Sequence, residues 1–140
     1  MPLSPEELEE FLSRPNVAVV ATMDSDGQPH AVPTWYEWSE GEIVFHTGRR
    51  TRKYRNLRRN PRVTLCIDEK TLPYRAVVVY GKAELTVGSD DERTRRCALA
   101  YLGAKVGAAY ADSLRGQELV IVRVKAERII SWDYGKGDNP

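Results

Sequence analysis

The spacing of apolar and polar positions predicts that most of this chain forms β-strands. Short runs rich in Val, Ile and aromatic residues alternate with turn-forming residues, as in the Asp-Gly hairpin turn at residues 24–27. The predicted strands are residues 17–23, 28–38, 43–47, 62–68, 75–87, 119–124 and 126–134. The first three are expected to pair as a meander, and Gly81 within the fifth indicates a bulge or a close approach by another backbone or a ligand.

Three further stretches place apolar residues at helical spacing behind a good N-cap. These helices begin at Ser4, at Thr51 and at residues 89–92. The first must end before Pro15 and the second before Pro61, because proline disfavours helical conformation in the residue ahead of it. Two glycines weaken the third helix, and the tail from Gly135 is expected to be loose. This pattern predicts a mainly β (α+β) barrel with short flanking helices, in a single domain over residues 1–140.

Composition and charge narrow the possible partners. A net charge of +1 argues against a general nucleic-acid or membrane binder, while the dense Arg and Lys content of residues 49–62 argues for one anionic site. No signal peptide or membrane span is found, so a cytoplasmic protein is expected. Cys66 in a predicted strand and Cys97 in a predicted helix lack metal-ligand spacing. We expect both to be buried free thiols and expect no metal site.

The second predicted helix, which begins at Thr51, has an unfavourable charge distribution in its first turn. Its first turn carries cations, which the partial positive charge of a helix N-terminus disfavours by about 0.3–1 kcal/mol each. A phosphate held by free backbone N–H groups, the hydroxyls of Thr47 and Thr51, and the cations Arg50 and Lys53 would convert that penalty into binding energy. The alternative is a solvated basic face with no ligand.

Several motifs lie in order along nearly the whole chain. The most specific is Pro33-Thr34-Trp35 in the second strand, followed by the helix that carries Lys53. The other matching segments are residues 19–22, 26–30, 54–63, 79–83 and 128–132. Together they resemble the pyridoxamine 5′-phosphate oxidase-like superfamily of FMN-binding split β-barrels, and more narrowly its oxidoreductases that use coenzyme F420. The resemblance implies a six- to seven-stranded antiparallel split β-barrel that forms a homodimer, with two cofactor sites at the interface.

The resemblance also implies roles for individual positions. Residues 33–36 would lie along the tricyclic ring of the cofactor, and the residues around Thr51 would hold its phosphate. The implied cofactor-binding residues are Pro33, Thr34, Trp35, Tyr36, Thr47, Arg50, Thr51, Lys53, Arg58 and Trp132. An aromatic wall for a planar substrate could comprise Trp35, Tyr36, Trp38 and Trp132, although core or dimer packing would explain these residues equally well.

FMN and coenzyme F420 share a ribityl phosphate, so the phosphate site alone does not distinguish them. The F420 phosphate continues into a lactyl and oligoglutamate chain, which needs a cationic groove. The arginines that fit this need are Arg49, Arg52, Arg55 and Arg58, which could equally form a solvated face. We therefore expect coenzyme F420, with FMN as the alternative.

The expected function is hydride transfer between reduced coenzyme F420 and a planar conjugated small molecule. The alternatives are an FMN-dependent oxidase or reductase of the same fold, or a flavin- or deazaflavin-binding protein without turnover. Because the cofactor supplies the reactivity, a dedicated acid or base is not required. The candidate proton donors are His30, Tyr36 and His46, and a structural role is an alternative for each histidine.

Overall fold

The computed structural model describes residues 2–137, in which seven strands form one antiparallel sheet. The strands are β1 (Ala18–Met23), β2 (Pro29–Thr34), β3 (Glu37–Ser39), β4 (Glu42–Gly48), β5 (Arg62–Asp68), β6 (Arg75–Val87) and β7 (Leu119–Asp133). Their order across the sheet is β2-β1-β5-β6-β7-β4-β3. This mainly β arrangement with short helices confirms the predicted split-barrel fold.

Four helices accompany the sheet. They are α1 (Pro5–Leu12), α2 (Arg52–Arg59), α3 (Asp91–Leu102) and α4 (Ala104–Ser113), and a 3₁₀ turn follows at Tyr134–Lys136. The predicted caps Ser4 and Thr51 are confirmed, and Asp90 caps α3. The region predicted as one weakened helix contains two, because Gly103 adopts a positive φ of 85° that ends α3. The expected loose tail falls partly on residues 138–140, which lie outside the described residues.

The core lies on the inner face of the sheet. In β5, for example, Val63, Leu65 and Ile67 are buried while the residues between them are not. Phe11 and Leu12 at the end of α1 are fully buried in the same cluster. The alternation that buries these residues is the period of two of a strand with one face on the core.

The prediction that both cysteines are buried is wrong for Cys66. It lies between Leu65 and Ile67, so its side chain points to the outer face of the sheet and is exposed. Cys97 in α3 is buried, and burial raises the pKa of its thiol.

The predicted strand over residues 28–38 is wrong, because the chain breaks into β2 and β3 at Trp35-Tyr36. The N–H of Tyr36 donates to the hydroxyl of Tyr101 (3.1 Å) instead of to a neighbouring strand. As a result β2 pairs with β1 while β3 pairs with β4, at opposite ends of the sheet. Both pairings of the expected opening meander are therefore present, but two separate strands make them in place of one continuous middle strand.

The last two predicted strands are a single strand, β7, of 15 residues. The pairing of β6 with β7 shifts at Tyr80/Gly81, where Glu127 is the extra residue on β7. A Cβ atom at Gly81 would lie 2.2 Å from the carbonyl oxygen of Lys125. The predicted bulge at Gly81 is confirmed, and it bends β7 rather than ending it.

The two halves of the outer face differ. Next to α3, the outward-facing residues Val44 and Ile121 are buried, and Arg93 and Arg96 of α3 donate to the carboxylate of Glu37 on β3. On the other half, formed by β1, β5, β6 and the end of β7, outward-facing apolar side chains are exposed or half-buried. These residues are Val19, Ala21, Met23, Cys66, Val78, Tyr80, Ile130 and Trp132; we call them the bare face.

Within the described part of the chain, no helix has the length and apolar content needed to cross a membrane. Among residues 2–137, no group of three or more His, Cys, Asp and Glu side chains is arranged to hold a metal ion.

Candidate functional site

The end of β4 and the start of α2 bring the predicted anion-binding residues together. The hydroxyls of Thr47 and Thr51 lie 2.7 Å apart, and the hydroxyl of Thr51 also donates to the carbonyl of Gly48 (3.0 Å). Thr51 then accepts from the N–H of Tyr54 (3.3 Å), as an N-cap residue does. We refer to Thr47, Arg50, Thr51 and Lys53 as the cradle.

The cradle has positive charge and donors but no anion of its own. No acidic residue lies in the first turn of α2. Among residues 2–137, the backbone N–H groups of Arg52 and Lys53 have no acceptor and the Lys53 ammonium has no ion-pair partner. Burial lowers the pKa of Lys53, which is the expected effect of holding a cation away from water without a counter-charge. An anion placed here would satisfy all three groups.

The arginines expected to form a groove beyond the cradle are partly engaged within the chain. Arg49 pairs with Glu118 (2.9 Å), and Arg55 donates to the carbonyl of Arg50 (2.7 Å). The guanidinium of Arg58 lies over the ring of Tyr54, 5.6 Å from its centroid. The Arg49–Glu118 pair is exposed, so it contributes little to stability and is easily exchanged for another anion.

A cavity of about 380 Å³ lies at the break between β2 and β3. It is lined by Val17, Pro33, Thr34, Trp35, His46 and Tyr110. Its volume falls in the range of small-molecule sites, and its walls are mainly apolar with a few polar groups. The hydroxyl of Thr34 donates to the carbonyl of Trp35 (3.1 Å), which leaves the imidazole of His46 and the hydroxyl of Tyr110 as polar groups beside the cavity.

Aromatic packing fixes the position of Trp35. Its ring stacks on Tyr101 of α3 with centroids 5.0 Å apart and planes 12° apart. The ring of Tyr110 on α4 meets it at 65°, with centroids 5.5 Å apart. Tyr101 is itself held, because its hydroxyl donates to the carbonyl of Asn16 (2.7 Å). Trp35 therefore presents a fixed apolar surface to the cavity.

His46 connects the cavity to the cradle. It lines the cavity, and its pKa is lowered first by burial and second by the charge of Lys53. Its imidazole is therefore neutral at neutral pH. His46 also directly precedes Thr47 of the cradle in β4, so the cavity and the cradle adjoin at the end of this strand.

Comparison with known proteins identifies the family. Residues 4–133 match the family model described as pyridoxamine 5′-phosphate oxidase. The chain belongs to this family. A 5a,11a-dehydrotetracycline/5a,11a-dehydrooxytetracycline reductase from Streptomyces rimosus is 35% identical over 141 residues, which cover 94% of this chain and 84% of that protein. A pyridoxine/pyridoxamine 5′-phosphate oxidase from Escherichia coli is 40% identical over 77 residues, which cover 54% of this chain and only 35% of that enzyme.

Solved structures show the same fold. A conserved hypothetical protein, Rv2991, from Mycobacterium tuberculosis superposes with a TM-score of 0.76 at 31% identity, covering 99% of this chain and 89% of that one. A structure titled F420 reductase superposes with a TM-score of 0.72 at 26% identity, covering 90% of this chain and 98% of that one.

Within this family fold, some predicted site residues lie away from the cavity. Tyr36 is buried, and its hydroxyl donates to the carbonyls of Leu12 (3.0 Å) and Arg14 (3.3 Å). Burial raises the pKa of Tyr36 strongly, so this hydroxyl is a poor proton donor. The predicted roles of Tyr36 as a ring contact and as a proton donor are therefore not retained.

Three other predicted residues lie elsewhere. His30 on β2 pairs with Thr22 and does not line the cavity. Trp38 donates its indole N–H to Glu9 of α1 (2.9 Å). Trp132 pairs with Ala76 and belongs to the bare face. Of the four aromatic residues considered for a substrate wall, Trp35 alone lines the cavity.

Tyr110 and Val17 are cavity residues that the sequence did not indicate. Tyr110 lies on α4, which begins after Gly103 and contains Gly107, and such a stretch has a weak helical pattern. Because α4 is distant in sequence from the strands that it approaches, no local signal connects Tyr110 with Trp35.

Proposed function

We propose that this protein is an oxidoreductase that transfers a hydride between reduced coenzyme F420 and a planar conjugated small molecule. The observation that carries the proposal is Lys53, a half-buried cation without an anionic partner among the described residues, beside a mainly apolar cavity. The similarity to a dehydrotetracycline reductase and to an F420 reductase of known structure supports the same reaction class.

The cradle is proposed to hold the cofactor phosphate. The free N–H groups of Arg52 and Lys53 and the Lys53 ammonium would donate to its oxygens, and Arg50 adds a positive charge from solvent. The Thr47 hydroxyl donates to Thr51 and so holds the cap of α2 in place. Pro33, Thr34 and Trp35 would line the ring system. When bound, the reduced cofactor supplies the hydride.

The chain would supply position, a mainly apolar cavity and a hydrogen-bond donor. His46 is the one of the three predicted proton donors that lines the cavity. Because its pKa is lowered, its imidazole is neutral at neutral pH and would donate a hydrogen bond from its N–H rather than transfer the proton. After hydride addition to one carbon of a conjugated C=C bond, this hydrogen bond would stabilise the negative charge on the substrate oxygen, and solvent would supply the proton that completes the reduction.

FMN is the second candidate cofactor, because the cradle binds a phosphate that both cofactors carry. Coenzyme F420 is favoured by the exposed arginines next to the cradle. The weak Arg49–Glu118 pair can open to admit the carboxylates of the F420 tail, and Arg50 has no side-chain partner among residues 2–137.

We also propose that the chain acts as a single cytoplasmic domain whose bare face is covered by a second copy in a homodimer. Val19 and Tyr80 on this face are 41% and 39% exposed, and a contiguous apolar patch of this kind is uncommon on a monomer. Val78→Asp would place a charge at its centre. Light scattering should give a dimer for the unsubstituted protein and a monomer for Val78→Asp, and a monomer in both cases would rule out the interface.

The deciding experiment is a parallel titration of the purified protein with FMN and with coenzyme F420, followed by absorbance and by quenching of tryptophan fluorescence. Tighter binding of F420 is expected. Tighter binding of FMN would assign the protein to the flavin-dependent side of the family. Binding of neither would overturn the proposed function, and binding without oxidation of the reduced cofactor by enones or quinones would indicate a carrier protein.

A further inference from the structure

Three consecutive residues at the break between β2 and β3 are held by one helix, α3. The ring of Trp35 stacks on Tyr101, and the N–H of Tyr36 donates to the Tyr101 hydroxyl. The next residue, Glu37, pairs with two arginines of α3. Because Trp35 and Tyr36 belong to neither strand, the contacts with α3 take the place of sheet pairing in fixing this part of the chain.

The hydroxyl of Tyr101 joins the two chain segments that border the cavity. It accepts from the N–H of Tyr36 (3.1 Å) and donates to the carbonyl of Asn16 (2.7 Å). Tyr36 directly follows Trp35, which lines the cavity, and Asn16 directly precedes Val17, which also lines it. Burial raises the pKa of Tyr101 to about 12, so the hydroxyl keeps its proton and remains a donor at neutral pH.

Tyr101 itself lies behind this wall of the cavity. It does not line the cavity of about 380 Å³ and instead lines a separate cavity of about 170 Å³ between the end of α1, β3 and α3. Its ring covers one side of the Trp35 ring, because the two planes are 12° apart. An effect of Tyr101 on a ligand in the larger cavity therefore passes through Trp35 and the backbone of the break.

We propose that Tyr101 is a positioning residue for the ring site, which holds Trp35 and the backbone of the break in the arrangement that binds the ring system of the cofactor. This inference rests on the proposed function and adds to it a residue outside the cavity on which ring binding depends. Because the cradle is formed within residues 47–53, we expect Tyr101 to affect ring binding and to leave phosphate binding unchanged.

The test measures ring binding and phosphate binding separately. The cofactor Kd reports both sites, whereas competition by inorganic phosphate reports the cradle alone. With whichever of FMN and coenzyme F420 binds more tightly, Tyr101→Leu removes the stack and the hydroxyl and should raise the cofactor Kd by about tenfold to a hundredfold. Tyr101→Phe keeps the stack and should raise this Kd by about twofold to tenfold, the value of one hydrogen bond. The Kd of inorganic phosphate should be the same in both variants as in the unsubstituted protein.

A spectroscopic measurement separates positioning from a general loss of structure. At saturating cofactor, the absorbance band of the bound ring reports how the ring lies against Trp35. In Tyr101→Leu this band should move toward that of the free cofactor. In Tyr101→Phe it should stay close to that of the unsubstituted complex, because the stack on Trp35 is kept.

The matched control is Leu102→Ala. Leu102 follows Tyr101 on α3, is 36% exposed and does not line the cavity, so its truncation should leave both Kd values and the absorbance band unchanged. Circular dichroism and thermal unfolding establish that each variant is folded. If Tyr101→Leu does not fold, Tyr101→Phe decides, because it keeps the ring in place.

The outcomes separate this inference from the proposed function. An unchanged cofactor Kd and absorbance band in the folded Tyr101 variants would overturn the role of Tyr101 and leave the proposed function intact. An equal loss of affinity for the cofactor and for inorganic phosphate would show a general loss of structure and would also overturn that role. If the unsubstituted protein binds inorganic phosphate but neither FMN nor coenzyme F420, the proposed function fails, and the role of Tyr101 fails with it.

Discussion

The helices α2 and α3 begin in opposite ways. In α3, Asp90 accepts from the N–H of Arg93 (3.0 Å), and Asp91 and Glu92 place negative charge where the helix dipole favours it. In α2, Thr51 provides the cap but Arg52 and Lys53 follow it. The start of α3 therefore stabilises its helix, whereas the start of α2 carries an electrostatic penalty.

The start of α1 supports this contrast. In α1, Ser4 and Glu7 form a capping box in which each side chain accepts from the backbone N–H of the other. Two of the three helix starts with side-chain caps therefore follow the stability rules. The departure in α2 occurs where β4 ends and a half-buried lysine lies, which is where the proposed function places the cofactor phosphate.

The largest effect is expected from Lys53→Ala. Loss of a charge-assisted hydrogen bond to the phosphate should weaken cofactor binding by about 1.5–3 kcal/mol. The free energy of unfolding without cofactor should stay the same or rise slightly, because a cation is removed from a helix N-terminus. Titration and urea unfolding measure the two quantities, and Lys105→Ala, an exposed lysine on α4, is the matched control. An unchanged affinity for Lys53→Ala would remove Lys53 from the site.

The next prediction compares the N-cap of α3 with the N-cap of α2. Asp90→Ala and Thr51→Ala should each lower the free energy of unfolding by about 1 kcal/mol, because each removes an acceptor from a backbone N–H. The cofactor affinity should fall only for Thr51→Ala. Equal cofactor affinities in the two variants would mean that the N-cap of α2 stabilises its helix and has no part in cofactor binding.

A smaller change in cofactor affinity is expected when the pH is varied. Burial lowers the pKa of Lys53 in the free protein, and a bound phosphate would raise it again, so binding takes up a proton at high pH. Affinity is therefore full below the free pKa and falls as pH rises through it, over a range that begins below the ordinary pKa of lysine. Lys53→Arg stays charged over this range, and calorimetric titration of that variant should give a flat profile. A pH dependence that persists in Lys53→Arg would assign the effect to another group.

The smallest effect is expected from Asp91→Asn at the start of α3. Removal of one exposed negative charge from a helix N-terminus should lower the free energy of unfolding by about 0.3–1 kcal/mol in low salt. Salt should reduce the difference, because the charge lies in solvent. Urea unfolding at two ionic strengths measures it, and a difference that does not respond to salt would contradict a dipole effect.

The features that were predicted from sequence are those that neighbouring residues determine. The bounds of β5 and β6 follow from alternating apolar residues between turn signals, and the caps of α1 and α2 follow from side chains that accept from the backbone N–H three residues later. The cradle was predicted for the same reason, because residues 47–53 form it within a single strand-turn-helix segment.

The features that were missed depend on residues far apart in the sequence. The break after β2 requires the hydroxyl of Tyr101, which is 65 residues from the N–H of Tyr36 that it accepts from. The continuity of β7 depends on a bulge opposite Gly81, and the cavity wall requires Tyr110 from α4. None of these contacts produces a periodic pattern of apolar residues in the segment whose structure it determines.

The place of β7 in the sheet has a consequence for biosynthesis. It lies between β6 and β4, so β3 and β4 reach the rest of the sheet only through it. It is also the last of the described strands to leave the ribosome. Until then, the edges of β4 and β6 that β7 will cover have unpaired backbone groups and can pair with other chains. The sheet is therefore completed after translation of residues 119–133, and the nascent chain needs protection from aggregation up to that point.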